Sequence, residues 1–420
     1  MFKRLNIAII TIYLILLTSC GTSGTTELGS LKMAADITFD ENSYQHITIP
    51  QNELGFKLLQ HIEPDEDQNK FISPTSLFMA LAMLYNGADG ETKKEIAATL
   101  QTEGITVNDL NEANASLMSM LHKETDDITL RIANSIWLNE NFHFQTDFAK
   151  HTTDYFNAEI EEIDVLDAQT PKLINDWVDE ATNGKIEDIV DSLNANTVAL
   201  VINAIYLHAG WTIPFDEKRT EDKPFHLENG STITTPLMTL KEKLPYLENE
   251  HFQAVQLTYG DDKNMSMTIM LPHEHTTMSD FEQMISYNNW DNWTSEFNEQ
   301  EGTLLLPRFQ IEYETILNES LEALGMPSAF NEEADFSKMV EEDVHLAISK
   351  VKQKTFVDVN EEGTEAAAAT SIGIEMTSAP IDEQPFLMEV DRPFFVAITD
   401  HETNAILFMG SIHHPTNEND

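Results

Sequence analysis

Apolar residues fall at helical spacing in the first half of the chain and in continuous runs further on. Leu77, Leu81 and Leu84 recur on one helical face. They follow Ser73 and Pro74, a capping hydroxyl and a proline suited to a first helical turn, so a helix is predicted up to Gly87. A second starts at Asp89 and runs through Glu91 to Leu100. A third surrounds Ile174, Trp177 and Val178 and stops near Asn183 and Gly184. From Thr197 the β-branched and aromatic content rises, and residues 198–207 form a continuous apolar run, Asn203 aside, of the kind a central strand carries. Residues 265–271, 303–311, 344–359 and 394–410 read as further strands, with a helix over 318–324 between them. Helices first and strands later, without βαβ alternation, predict an α+β fold. No internal repeat or compositional break interrupts residues 44–415, which are read as one domain.

Composition narrows the function. Of 420 residues, 41% are hydrophobic, enough for a large core and too many for a mostly disordered chain. Asp and Glu number 72 against 24 Lys and Arg, a formal charge of −48 that repels a phosphate backbone and excludes nucleic acid as a partner. The acidity reads as a solvated surface. Cys20 is the one cysteine, so no disulfide can form within the chain. No nucleophile elbow or P-loop is present: residues 87–93 lack the GK[ST] ending. His273 and His275 could share a strand face, but zinc needs a third ligand and no HExxH follows, so a polar loop after Pro272 is the expectation. His413 and His414 are expected at a solvated terminus, and Trp177, Trp211 and Phe394 in the core. No cofactor or metal is implied, and the chain does not read as an enzyme.

The N-terminus reads as an address. Lys3 and Arg4 precede an apolar run over 5–17, closed by Leu17, Thr18, Ser19 and Cys20. At ~1.5 Å per residue the run spans roughly 20 Å, short of a ~30 Å hydrocarbon layer, so a transmembrane anchor is disfavoured. The pattern resembles a bacterial lipoprotein signal. Residues 1–19 would be removed, Cys20 lipidated, and residues 20–43 left as a Gly/Ser/Thr-containing tether. The expected location is a bacterial cell-envelope membrane, the outer membrane or cell surface, with membrane contact only through the lipid. Residues 416–420 are a polar tail.

Residues 361–385 depart from their surroundings. Ala366, Ala367, Ala368 and Ala369 favour helix, whereas Gly363, Gly373 and Pro380 favour a loop. So long a connection inside a domain is functional or disordered as a rule. Its parity is informative. Thr364, Ala366, Ala368, Thr370, Ile372 and Ile374 share one face of a hypothetical strand and carry no charge, while Glu365 and Glu375 lie on the other face.

Ordered motifs then identify a family. Phe71-Ile72-Ser73-Pro74, Gly87-Ala88-Asp89-Gly90-Glu91-Thr92, Asn203-Ala204-Ile205-Tyr206 with Trp211, Leu304-Leu305-Leu306-Pro307-Arg308-Phe309, Ala334-Asp335-Phe336-Ser337, Val359-Asn360-Glu361-Glu362-Gly363-Thr364 and Asp391-Arg392-Pro393-Phe394 occur in sequence. The chain resembles the serpins, protease inhibitors of a metastable fold, from about Tyr44 to Pro415. The resemblance implies a large mixed sheet able to accept an inserted reactive-centre loop, with N-terminal helices packed on the sheets. It makes residues 361–385 that loop. In inhibitory members a protease attacks this loop, an acyl-enzyme forms, and the cleaved loop inserts as a new strand with the protease attached. The hinge would be Glu361, Gly363, Thr364, Glu365, Ala366, Ala367, Ala368, Ala369 and Thr370, and a bulky or charged group on its inward face would stall insertion. The sheet-opening region would comprise Ser73, Ser76, Asn203, Trp211 and Gln353. Gln353 stands where many members carry histidine, so altered opening is expected.

Counting from Gly363 as the family does places the scissile bond between Thr377 and Ser378, with Met376-Thr377 as the runner-up. Thr377 suits the shallow apolar pocket of elastase-like or subtilisin-like serine proteases. No Lys or Arg lies between Lys354 and Arg392, which disfavours a trypsin-like target. The implied partner is a serine protease of apolar specificity, met by a monomer. The alternatives are a non-inhibitory binding module, a plain substrate, and a cross-class inhibitor of papain-like cysteine proteases.

Overall fold

The computed structural model describes residues 37–125, 127–364 and 384–415. The first part is mainly helical: α1 (Thr48–Leu59), β1 (Lys70–Ile72), α2 (Pro74–Gly87), α3 (Gly90–Thr99) and α4 (Val107–Leu121). Then come β2 (Lys123–Glu124), β3 (Ile128–Asn139), α5 (Thr146–Phe156), β4 (Glu159–Ile163) and α6 (Thr170–Ala181). The strand-rich part follows with β5 (Ala199–Gly210), β6 (Glu221–His226), β7 (Thr232–Glu248), β8 (Phe252–Tyr259) and β9 (Met265–Pro272). After α7 (Met278–Met284) and α8 (Tyr287–Thr294) run β10 (Asn298–Pro307), β11 (Phe309–Ile316) and α9 (Asn318–Ala323). The last strands are β12 (Lys350–Val359), β13 (Gly363–Thr364), β14 (Phe386–Glu389), β15 (Phe394–Asp400) and β16 (Ile406–Ile412).

The strands form two sheets. One has the order β11-β12-β13-β5-β3-β2, with β4 added beside β3, and its β5 and β12 also pair directly. The other has the order β1-β16-β15-β9-β8-β7-β10-β14, with β6 beside β7. Helix α2 joins them, packing on β16 of one and on β3 and β5 of the other. Every residue of α2 except Asn86 is buried, which explains why its sequence is apolar nearly all round. It starts as its cap requires: the Ser73 hydroxyl accepts from the Ser76 N–H at 3.2 Å, and Pro74 takes the first turn. On the other face of the first sheet, α6 and the segment after it bury Ile174, Val178, Ile186 and Ile189 against Trp137, Leu200 and Ile202.

Three predicted strands are divided. Residues 303–311 break at Arg308, because β10 pairs with β7 in one sheet whereas β11 pairs with β12 in the other. Residues 344–359 are strand only from Lys350. Residues 394–410 split where the Asp400 carboxylate accepts from the Thr403 N–H and hydroxyl and closes a turn. The long strand β3 also lies among the early helices. Apolar period identifies an extended segment but not the partner that ends it.

β13 belongs to the first sheet, and the next described strand, β14, belongs to the second, where it runs parallel to β10. Phe386 of β14 stacks on Tyr246 at 4.2 Å between centroids and passes over Gly302, where an added Cβ would stand 2.1 Å from the Phe386 ring. Gly302→Ala is expected to displace β14 at a cost of about 1–3 kcal/mol, read as a lower denaturation midpoint. Gly302→Ala combined with Phe386→Leu should recover part of that loss, and an unchanged midpoint in the single variant would refute the account.

Candidate functional site at the seam between two strands

β5 and β12 are parallel neighbours from the pair Lys350 and Leu200 to the pair Thr355 and Ile205. Beyond that they diverge and β13 enters between them, antiparallel to both. Thr364 pairs with Val359 on one side and Ala209 on the other, and Gly363 pairs with Gly210. Only glycine fits at 363: a Cβ there would meet the Ala209 carbonyl oxygen at 2.1 Å.

Thr364 is fully buried, and its hydroxyl lies 2.6 Å from the Tyr259 hydroxyl. Burial pushes the Tyr259 phenol well above its ordinary pKa, against a smaller opposing effect of the Thr364 bond, so it stays neutral. Trp211 stacks on Tyr259 at 4.4 Å and donates its indole N–H to the Asn360 carbonyl at 2.9 Å. The backbone N–H groups of Trp211 and Phe215 donate to the carbonyls of Glu362 and Glu361, each at 2.8 Å.

Glu361 is clamped. Arg308 donates to it from Nε at 2.7 Å and from Nη2 at 2.6 Å, and the Thr220 hydroxyl adds a third bond. Burial raises the Glu361 carboxyl, but the bonds from Arg308 and Thr220 outweigh it and hold the group below the usual carboxylate range. Arg308 is raised in turn, chiefly by its bond to Glu361.

A second cluster spans the closed part of the seam. Asn134, Asn203 and Gln353 sit opposite one another across β3, β5 and β12. The Asn203 side-chain oxygen accepts from Gln353 at 2.6 Å and from the Ser76 hydroxyl at 2.7 Å, while its amide donates to Asn134 at 2.8 Å. Gln353 accepts from the Ser73 N–H at 3.0 Å and donates to the Ser73 carbonyl at 3.1 Å. All five residues are at most 1% exposed, so each bond operates without competing water.

The structure therefore brings together Ser73, Ser76, Asn203 and Gln353, and separately Glu361, Gly363 and Thr364. Trp211 does not join the first group as expected. It lies just past the end of β5, eight residues or roughly 26 Å along the strand from Asn203, and belongs with the hinge. The clamp residues Arg308 and Thr220 and the ring of Tyr259 were not anticipated. Arg308 stands in the Leu304-Leu305-Leu306-Pro307-Arg308-Phe309 motif, but its spacing from Glu361 carries no local signal. Cys20, the hinge residues Glu365, Ala366, Ala367, Ala368, Ala369 and Thr370, and Met376, Thr377 and Ser378 lie outside the described residues. His273 and His275 stack at 5.6 Å, and their Nε2 atoms face the carbonyls of Asn249 and Glu250. Among the described residues no group of three or more His, Cys, Asp or Glu could hold a metal. Nor is any described helix long and apolar enough to cross a membrane. His413 is not solvated as expected: its side chain is 15% exposed and lies 3.5 Å from Glu228, because Asn69 draws in the N–H groups of His413 and His414.

The profile described as Serpin (serine protease inhibitor) matches residues 50–415. The leukocyte elastase inhibitor of Sus scrofa is 35% identical over 359 residues, 83% of this chain and 93% of that protein. Among solved structures, the thermophilic serpin tengpin in its native state superposes with a TM-score of 0.80 at 31% identity, covering 90% of this chain and 95% of its own. Human thyroxine-binding globulin with thyroxine superposes at 0.79 and 26% identity, covering 89% and 100%. The chain belongs to the serpin family and has its fold.

Two predictions follow from the clusters. A histidine at 353 can replace the glutamine only when neutral, because the imidazolium has no acceptor for the Ser73 N–H. Its folded pKa would fall below the ordinary ~6.5, so Gln353→His should lose stability as pH drops through about 6.5, whereas the parent has no such loss from this position. Thermal midpoints between pH 5 and 8 test this, and parallel curves would refute it. Glu361→Gln should destabilise the fold at pH 7 by up to about 1.5–3 kcal/mol, the range for a hydrogen-bonded charge, reduced by the part-exposure of Arg308, and so lower the thermal midpoint. Because the Glu361 carboxyl is depressed in the fold, its contribution is present above about 4.5 and lost on further acidification. The parent and Glu361→Gln curves should therefore converge in acid.

Proposed function

We propose that this chain is a suicide-substrate inhibitor of serine proteases with elastase-like or subtilisin-like specificity. One observation carries the reading: Gly363 and Thr364, near the start of the loop, already sit as strand between β5 and β12, with Thr364 turned to the core. Thr364 belongs to the uncharged parity of the loop, so the same face would enter the core throughout. Continuing this register would bring Thr370 opposite Gln353 and Asn203, where its hydroxyl can replace part of the bond that insertion breaks. The protease nucleophile would attack the Thr377 carbonyl, expel the Ser378 amine and remain as an acyl-enzyme while the freed strand inserts.

Small β-branched Thr377 and the absence of Lys and Arg between Lys354 and Arg392 support an apolar specificity pocket. The relation to a protein named leukocyte elastase inhibitor agrees with that preference. With Cys20 as lipid attachment, the inhibitor would be tethered to the surface of a bacterial membrane. A second reading, a ligand-binding member whose loop is merely cut, is favoured by an open cavity of about 640 Å³ lined by Tyr44, Ile49, Tyr287 and Trp290. The hinge composition favours inhibition.

Mixing the protein with elastase-like, subtilisin-like and trypsin-like proteases should give a band resistant to denaturation with the first two only. Intact mass should place the cut after Thr377. Thr364→Arg would bury an unpaired charge beside Tyr259 and should be cut at the same bond without forming the band. Clean nicking of the parent with no gain in heat resistance would refute inhibition.

A further inference from the structure

The acidity of the chain has a local form where the loop departs and where the chain rejoins the body. Between Lys354 and Arg392 the sequence holds nine Asp and Glu and no Lys, Arg or His. Cations beside the two ends are already paired: Arg308 with Glu361 at 2.6 Å, Lys223 with Glu389 at 3.3 Å and Arg392 with Asp391 at 2.8 Å. A charge so matched contributes little to the field felt by an approaching molecule.

Exposed carboxylates remain around these pairs. On the departing side, Asp222 of β6 lies opposite Pro236, whose carbonyl accepts from the Arg308 N–H at 2.9 Å. Asp216, Glu217, Glu221 and Asp222 are all exposed there, against the exposed cations Lys218 and Arg219. The Arg308 guanidinium is raised first by its bond to Glu361 and further by the charges of Glu217 and Asp358, so the negative field persists after the clamp is made. On the returning side, Gln300 donates to the Gln384 carbonyl at 3.0 Å, and Glu299 and Glu301 on either side of it are exposed. Glu301 stands opposite Lys243, but Glu299 stands opposite Pro245 and has no cation across the ladder.

Two apolar side chains stand within this charged surround. Ile213 is 40% and Leu387 61% exposed. Ile213 lies between Trp211 and Phe215, whose N–H groups hold residues 362 and 361; Leu387 follows Phe386 in β14. An apolar contact with a charged rim is the anatomy of a protein interface, and here one such contact lies on each side of the loop.

We propose that these flanks select a cationic protease, with Ile213 and Leu387 as apolar contacts and the carboxylates as a rim that steers an enzyme whose active-site surround carries Lys and Arg. Complementary charge raises the rate of encounter about 10- to 1,000-fold and is lost as salt screens it. With a screening length of ~8 Å at physiological salt, only carboxylates close to the docked enzyme act, so the effect belongs to this face and not to the net charge of the chain. The inference rests on the inhibitory reading above and adds to it the charge of the partner.

The test is the second-order rate at which the denaturation-resistant band forms with a cationic elastase, before and after succinylation of the enzyme's lysines. Hydrolysis of a small uncharged substrate checks that the modified enzyme keeps its activity. Rates are compared at about 10 mM and about 1 M salt, where the screening length falls from ~30 to ~3 Å. The native enzyme should react at least about tenfold faster at low salt than at high, and at least about tenfold faster than the succinylated enzyme at low salt, with the two converging at high salt. Asp222→Lys with Glu299→Lys should slow the native enzyme about threefold at low salt and leave the high-salt rate unchanged. Glu332→Lys with Glu333→Lys makes the same charge change far from the loop. Those exposed residues precede Met339, whose carbonyl accepts from the Gln145 N–H just past the end of β3, and the twelve residues of β3 span roughly 40 Å from the hinge side. That variant should keep the parent rate. A parent rate indifferent to salt and to succinylation overturns the proposal and leaves inhibition standing, whether or not either variant folds. Equal slowing by the two variants overturns the assignment to this face. No band with either form of the enzyme overturns the inhibitory reading and this inference with it.

Discussion

The side-by-side pairing of β5 and β12 is the constraint on which the molecule depends. The two strands are in register over a short stretch only, and a row of neutral amides holds them there: Asn134, Asn203 and Gln353, seated on the start of α2 through Ser73 and Ser76. Hydrogen bonds between uncharged groups in a dry interior are strong while made, and exchange partners without the large penalty of stranding an ion. A sheet that is shut here and would open on the proposed insertion is well served by such a row.

The two ends of the seam are managed differently. At the top, charge fixes the departing chain, with Glu361 held by Arg308 and Thr220 and buried to 3% exposure. At the bottom, the strands remain in direct contact and α6 with its following segment covers them. Between these ends, β13 shows how an added strand is received: a glycine where backbone crowds backbone, then a threonine whose hydroxyl finds Tyr259 in the core.

Much of this was legible in the sequence, and the gaps have physical reasons. Ser73, Pro74 and the leucines of α2 announce a capped helix because capping and period are local properties. The inward side of Thr364 is legible because it depends only on the pleat. Gln353 could be placed near Ser73 and Asn203 only through the family resemblance, since 280 and 150 residues separate them. The Arg308 clamp escaped because one carboxylate among 72 gives no sign of which will be paired. The sheet change at Arg308 and the displacement of Trp211 escaped for a related reason: a run of apolar residues does not say which sheet it joins.

The two anchorages flanking the loop belong to separate sheets, Thr364 in the one and Phe386 in the other. A nick anywhere between them hands the new carboxyl end to the first sheet and leaves the new amino end with the second. Once the first has been drawn inward, resealing the bond would require extracting a seated strand. On the proposed insertion the molecule would be a ratchet without a reverse tooth, each copy spent a single time.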